Sequence, residues 1–218
     1  MYKKLVPALT VLALTGCVST KNMPIDQARV SEAPPTSIQT TQRNKPDFAA
    51  MTAGSAMFGV LGAIAAISSG NDIIEQNSVQ DPATQISAEL AKALSQKYKL
   101  SVQVGTHTIE GTKADEIASA YPDSDWVLDI QTVNWSFTYF PGDFNNYRVL
   151  YSAKLRLIDS RDQSLLAEGF CHQRSHEDSD TAPSYDELVE QNAAGLKSAL
   201  ATVAQSCIGQ FEKEVFKI

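Results

Sequence analysis

Basic residues are scarce in this chain. Lys and Arg total 18 against 25 Asp and Glu, a formal charge of −7 at pH 7. Nucleic-acid binding draws on clustered Lys and Arg that displace counterions, and no such cluster occurs. The same shortage removes electrostatic attraction to anionic lipid. Histidine and cysteine number 3 each. The chain has no Gly-x-Ser-x-Gly elbow, no phosphate-binding loop and no dinucleotide fingerprint.

Few side chains are left for chemistry. Cys171, His172 and His176, with Glu177, Asp178 and Asp180 close by, are the nearest approach to a metal set. Their spacing matches no structural-zinc pattern and reads as a solvated acidic loop, so no metal or other cofactor is expected. Cys171 and His172 are neighbours on an expected strand and face opposite ways, so His172 is no base for Cys171. His107 stands alone. Asp115 with Glu116, and Asp123 with Asp125, fall where capping or solvation explains them. A non-catalytic protein is the expectation, and an enzyme or metal-handling protein built on the 172–180 loop is the weaker alternative.

What is present begins at the N-terminus. Lys3 and Lys4 precede an apolar run from Leu5 to Ala13, followed by Leu14-Thr15-Gly16-Cys17. A charged segment, a short apolar segment and small residues before a cut describe a secretory signal peptide. The run is too short to span a bilayer, which takes about 20 residues. Leu14-Thr15-Gly16-Cys17 resembles the lipobox of bacterial lipoproteins. That resemblance implies removal of residues 1–16 and attachment of lipid to Cys17, the lipid being the only cofactor-like group. Val18, where an Asp would favour the inner membrane, implies the cell outer membrane, with the protein facing the periplasm. Loss of Lys3 and Lys4 with the signal would take the formal charge from −7 to −9. Several acyl chains give a stable anchor where one is marginal.

With Cys17 acylated, Cys171 and Cys207 remain. An even pair in an oxidising compartment predicts a disulfide, the alternative being two buried thiols.

Residues 17–47 read as the lipidated cysteine and a flexible tether, rich in Ser, Thr, Gln and Pro. Within it Ser37 to Thr41 alternates weakly and reads either as tether or as a short strand. Residues 48–70 form an apolar, Ala/Gly-rich helical segment, and no charged side chain falls between Phe48 and Asn71. Small residues recur at spacing four: Ala50 and Gly54, Ser55 and Gly59, Gly59 and Ala63, Gly62 and Ala66. On a helix that spacing makes a flat face, here Gly54, Gly59, Gly62, Ala63 and Ala66, which another helix can approach closely. Three readings stay open: packing on the protein's own sheet, insertion into a membrane, or self-association into an oligomer or pore.

Residues 71–218 read as an α+β domain. Asp81-Pro82 marks a helix start, and Ile86, Leu90 and Leu94 give it an apolar stripe. Leu100, Val102 and Val104 alternate as a strand ending at Gly105, and Lys113 to Ala120 reads as a short helix. Residues of about 125–175 form an antiparallel meander. In its first strand the alternation changes phase, which predicts a bulge near Gln131-Thr132. Ser184 and Glu187 fit a capping box ahead of a long amphipathic C-terminal helix covering the sheet. Tyr139, Phe140, Phe144 and Tyr147 cluster at one hairpin tip as a candidate partner contact, with packing over the hairpin as the alternative. The whole pattern resembles uncharacterised proteobacterial outer-membrane lipoproteins, with a fold-level likeness to transporter-auxiliary and curli-secretion-type lipoproteins. From the lipobox, the apolar 48–67 segment and the acidic charge, the expected partners are the membrane through the lipid anchor and a protein partner or a second copy, with no nucleic acid.

Overall fold

A computed structural model describes residues 22–218. Cys17 and the expected signal peptide lie outside the described residues. The architecture is α+β: an open sheet of six strands, mostly antiparallel, with helices on it. In chain order the elements are α1 (Gln27–Glu32), β1 (Ser37–Gln42), β2 (Ala49–Met51), α2 (Ala53–Ala56), α3 (Gly59–Gln76), α4 (Pro82–Tyr98), β3 (Ser101–Thr108) and α5 (Ala114–Ala120). Then come β4 (Trp126–Phe140), β5 (Asp143–Asp159), β6 (Ser164–Arg174) and α6 (Tyr185–Phe211), ending in a π turn at Glu212–Phe216.

The sheet runs β3-β1-β4-β5-β6, with β2 lying beyond β1 along the same edge of β4. β4, β5 and β6 form the antiparallel meander. β1 runs parallel to both β3 and β4, and β2 parallel to β4. The phase change in β4 is a bulge at Val133: the pairing jumps from Thr132 to Asn134, and Val133 points to solvent. Beyond it Trp135 and Phe137 return to the side that holds Trp126 and Leu128.

The expected tether is folded from Asn22 onward. The Met23 amide donates to the Glu168 carbonyl, and Ile25 and Val30 are buried. Asp26 caps α1, and β1 is an interior strand. The physical reason is a buried ionic knot that composition hides. Arg43 and Arg156 both pair with the fully buried Asp129, at 2.6 and 2.7 Å. Thr41 donates to the same carboxylate at 2.8 Å, and Arg43 also reaches the Gly111 carbonyl.

The main core lies between the sheet and α3, α4 and α6, around Trp126, Trp135, Phe137, Tyr151 and Phe211. The other face of the sheet is half covered. Ile117 and Tyr121 from α5 and its flank pack there on Val127 and Ile158. β3 continues through Gly105 rather than ending there. A Cβ at Gly105 would sit 2.5 Å from the Thr40 carbonyl oxygen, so the close approach of β3 to β1 uses the missing side chain.

Asp81 caps α4 by accepting from the Ala83 amide, and Thr132 also donates to it. Burial raises its carboxyl pKa despite those bonds and the nearby Lys45. Thr132 lies 3.0 Å from the Tyr151 hydroxyl, whose pKa burial raises well above the phenol range.

The C-terminal helix begins at the expected capping box, Ser184 with Glu187, but it is interrupted. Gln191, Asn192 and Ala193 take φ of 52°, 62° and 54°, a left-handed link that offsets residues 185–189 from 194–211. Gly195 then lies against Glu187, where a Cβ would sit 2.2 Å from the carbonyl oxygen. Cys207 on this helix and Cys171 on β6 are joined as a disulfide, Cα atoms 5.6 Å apart.

Candidate functional site

Between Phe48 and Gln76 the chain forms a strand, a single helical turn and a long helix. Thr52 and Ser55 cap α2 reciprocally: the Ser55 amide donates to Thr52 Oγ1 at 3.1 Å, and the Thr52 amide to Ser55 Oγ at 3.0 Å. Gly59, at φ 55°, turns the chain from α2 into α3, a left-handed conformation that glycine adopts freely. α3 then lies back along β2. Its buried residues, Gly62, Ala66, Gly70 and Ile74, recur at spacing four.

That stripe is in contact with the protein itself. A Cβ at Gly62 would sit 1.6 Å from the Ser55 carbonyl oxygen, and one at Gly70 2.1 Å from that of Phe48. The five residues expected on one packing face therefore divide. Gly62 and Ala66 point inward, while Gly54, Gly59 and Ala63 are exposed.

Turning the buried stripe inward turns the large apolar side chains out. Met57, Phe58, Val60 and Leu61 are 84%, 71%, 77% and 74% exposed, and Ile64 60%. Ile67 continues the face at 38%. An apolar groove of about 410 Å³ runs beside them, lined by Thr52, Ser55, Phe58, Leu61, Ala65 and Tyr185. Scattered surface hydrophobics are normal, whereas a contiguous patch of large ones marks a contact site. Met57, Val60, Ile64 and Ile67 carried no signal as single residues. For Val60, Ile64 and Ile67 the signal is a position opposite Gly62, Ala66 and Gly70 on a helical projection of α3, while Met57 lies before the Gly59 turn. Among the described residues no helix is long and apolar enough to cross a membrane, and α3 carries Asp72 and Glu75 near its end.

The hairpin aromatics do not form one exposed cluster. Tyr147 is buried against Phe137 and Tyr185, and burial raises its pKa. Phe140 is buried beneath the Arg148 guanidinium, 4.9 Å from its ring centre. Tyr139 is half-buried and meets Phe144 edge-on, and Phe144 is 59% exposed. The buried pair is not available for contact because Phe137 and Tyr185 of α6 cover Tyr147 and Arg148 covers Phe140.

The remaining chemistry-bearing side chains do not converge. Cys171 is buried in its disulfide beneath α6, while His172 lies on the opposite face, its Nδ1 2.8 Å from Ser152 Oγ. His176 Nδ1 is 2.9 Å from Ser175 Oγ. Glu116 accepts from the Thr112 and Lys113 amides at the start of α5, and Asp125 accepts from Thr36. Among the described residues no group of three His, Cys, Asp or Glu side chains is placed to hold a metal ion.

No family model and no curated protein sequence matches the chain. Among solved structures it is similar to a Neisseria meningitidis lipoprotein, with 15% identity, 83% of this chain and 100% of that one covered, and a TM-score of 0.31. It is similar to PelC from Paraburkholderia phytofirmans, crystallised as a dodecamer, with 12% identity, 77% and 83% covered, and a TM-score of 0.33. It is also similar to a Xanthomonas campestris protein at 16% identity, spanning 59% of either chain at a TM-score of 0.32. Likenesses of this strength place no function on the chain.

Proposed function

We propose that this chain is a lipid-anchored protein of the bacterial cell envelope, acylated on Cys17, with a non-catalytic role exercised through contact. The outer membrane, with the protein on its periplasmic side, is the location that Val18 favours. The observation that carries the contact role is the uncharged apolar face of α2 and α3. Each of its large side chains would contribute about 1.5–3 kcal/mol on full burial. A domain that buries its tryptophans completely yet leaves Phe58, Val60, Leu61 and Ile64 in water holds that face for something else. Self-association is the second reading, favoured by the exposed Gly59 and Ala63 beside those side chains, where a second helix has room to approach.

Mass analysis of the protein extracted from membranes tests the anchor. The reading expects an N-terminal peptide that begins at acylated Cys17. A retained residue 1–16 segment, or an unmodified Cys17, rules it out. The contact role is tested with a Val60→Ser, Leu61→Ser, Ile64→Ser variant. It is expected to unfold within a few degrees of the parent, since exposed side chains away from special features change stability by about 0.5 kcal/mol or less each. Collapse of the fold would show that the face serves stability instead.

A further inference from the structure

We infer that the exposed face of α2 and α3 rests on the bilayer that holds the acylated Cys17, a shallow second contact beside the acyl chains. The inference rests on the acylation proposed above and goes beyond it by naming what the apolar face meets.

The first argument is reach. Only four residues separate Cys17 from Asn22, the first described residue. Fully extended, that link spans about 18 Å. Asn22 is fixed to the body of the protein: its side chain accepts from the Phe170 amide and donates to Glu214. A domain held on so short a link stays at the membrane surface.

The second argument is position. Phe170 pairs with Lys154, and Lys154 with Gln131 of β4, whereas Met51 beside α2 pairs with Thr138. At the rise and spacing of a sheet, the start of α2 is about 25 to 30 Å from the anchoring point. Two points at that separation on one rigid body come to rest on one plane when the domain tilts.

The third argument is chemistry. From Phe48 to Asn71 no side chain carries charge, so insertion desolvates no ion. Helices that lie in the interface bury an apolar face about 5–10 Å into the headgroup boundary. Phe58, Leu61 and Ile64 supply such a face without the basic residues that would tie it to anionic lipid. The contact is therefore not weakened by salt, in a chain whose formal charge, −9 once residues 1–16 are removed, opposes electrostatic attachment.

The test uses the lipidated protein carrying Leu61→Trp, with Ile64→Trp as a second variant, in phosphatidylethanolamine–phosphatidylglycerol vesicles with plain or brominated acyl chains. Trp126 and Trp135 are buried, so the parent protein gives the baseline. The introduced indole is expected to emit at shorter wavelength on vesicles and to lose intensity on brominated chains, with no loss of either effect at high salt. Emission typical of water on both lipids overturns the inference. So does a blue shift without bromine quenching, accompanied by cross-linked dimers, which would mean that a second copy covers the face. The mass of the Cys17 peptide from the same sample separates a failed anchor from a failed contact.

Discussion

Arg43 grips Asp129 with two nitrogens, Nε at 2.6 Å from Oδ1 and Nη2 at 2.9 Å from Oδ2. Through this pair the chain just after β1 is locked to β4, and Arg156 ties the same carboxylate to β5. A buried ion pair of this kind adds little against an apolar substitute, but losing one partner strands a charge, at about 3–5 kcal/mol. Asp129→Ala leaves both guanidinium groups without their carboxylate and is expected to lose that much in chemical denaturation, while Arg43→Ala leaves Asp129 paired with Arg156 and is expected to lose less, about 1–3 kcal/mol. Arg43→Lys should recover only part, since an ammonium cannot reproduce the fork. A loss below about 1 kcal/mol for Arg43→Ala, the range of an exposed pair, would mean that the segment is a tether after all.

Asp81 gives a pH dependence of opposite sign from Asp125, Asp162 and Glu187. Burial raises its carboxyl pKa above the ordinary 3.8, so its protonated form suits the fold. The resulting stability is complete below 3.8 and is lost as pH rises through the raised value. Asp125, Asp162 and Glu187 behave in reverse: hydrogen bonds from Thr36, Ser164 and Ser184 lower them, giving stability that is lost on acidification. Asp81→Asn keeps a capping side chain and removes the titration. Relative to the parent, the variant is expected to gain stability as pH rises from below 3.8 to neutrality. A gap that stays constant with pH would show that Asp81 does not titrate differently on folding.

Two glycines of the same repeat should respond oppositely to alanine. At Gly70 a Cβ would lie 2.1 Å from the Phe48 carbonyl oxygen, so Gly70→Ala has to push α3 off β2. At Gly54 the nearest atom is 3.8 Å away. Gly54→Ala is expected to be neutral or to stabilise by up to about 1 kcal/mol through helix propensity, while Gly70→Ala destabilises. Equal melting temperatures for the two would contradict the inward stripe.

The disulfide closes a loop with a sequence separation of 36. On the chain-entropy account such a cross-link is worth about 4 kcal/mol. Replacing Cys171 and Cys207 together by Ser should cost a comparable amount, read as a lower denaturation midpoint. A native protein whose two thiols both react with a thiol reagent after unfolding, without prior reduction, would show that the bond does not form.

Much of this fold was legible because local pattern and tertiary role agree. Asp81-Pro82, Ser184 with Glu187, the meander and the β4 bulge each announce themselves within a few residues. β1 did so only in part: the weak alternation of Ser37 to Thr41 left strand and tether both open, and the choice is made by Arg43 meeting Asp129 from 86 positions away. The left-handed link at Gln191 to Ala193 has no glycine to mark it, and tertiary packing holds it. The small-residue spacing in α3 was visible, but spacing alone does not say which side of a helix finds a partner. Only the approach of Ser55 and Phe48 to Gly62 and Gly70 settles that Val60, Leu61 and Ile64 face outward.

The central claim, that this face is covered in the envelope, is tested most directly by an Ile64→Cys variant. With Cys17 acylated and Cys171 bonded to Cys207, the new thiol is the free one. Labelling with a water-soluble maleimide is compared in native envelopes and in the same variant released from the lipid by replacing Cys17 with Ala behind a cleavable secretion signal. The account predicts slow labelling in the envelope and fast labelling once the protein is released as a monomer. Equally fast labelling in both states would show that the face stands open to water in its native setting, and would contradict the account.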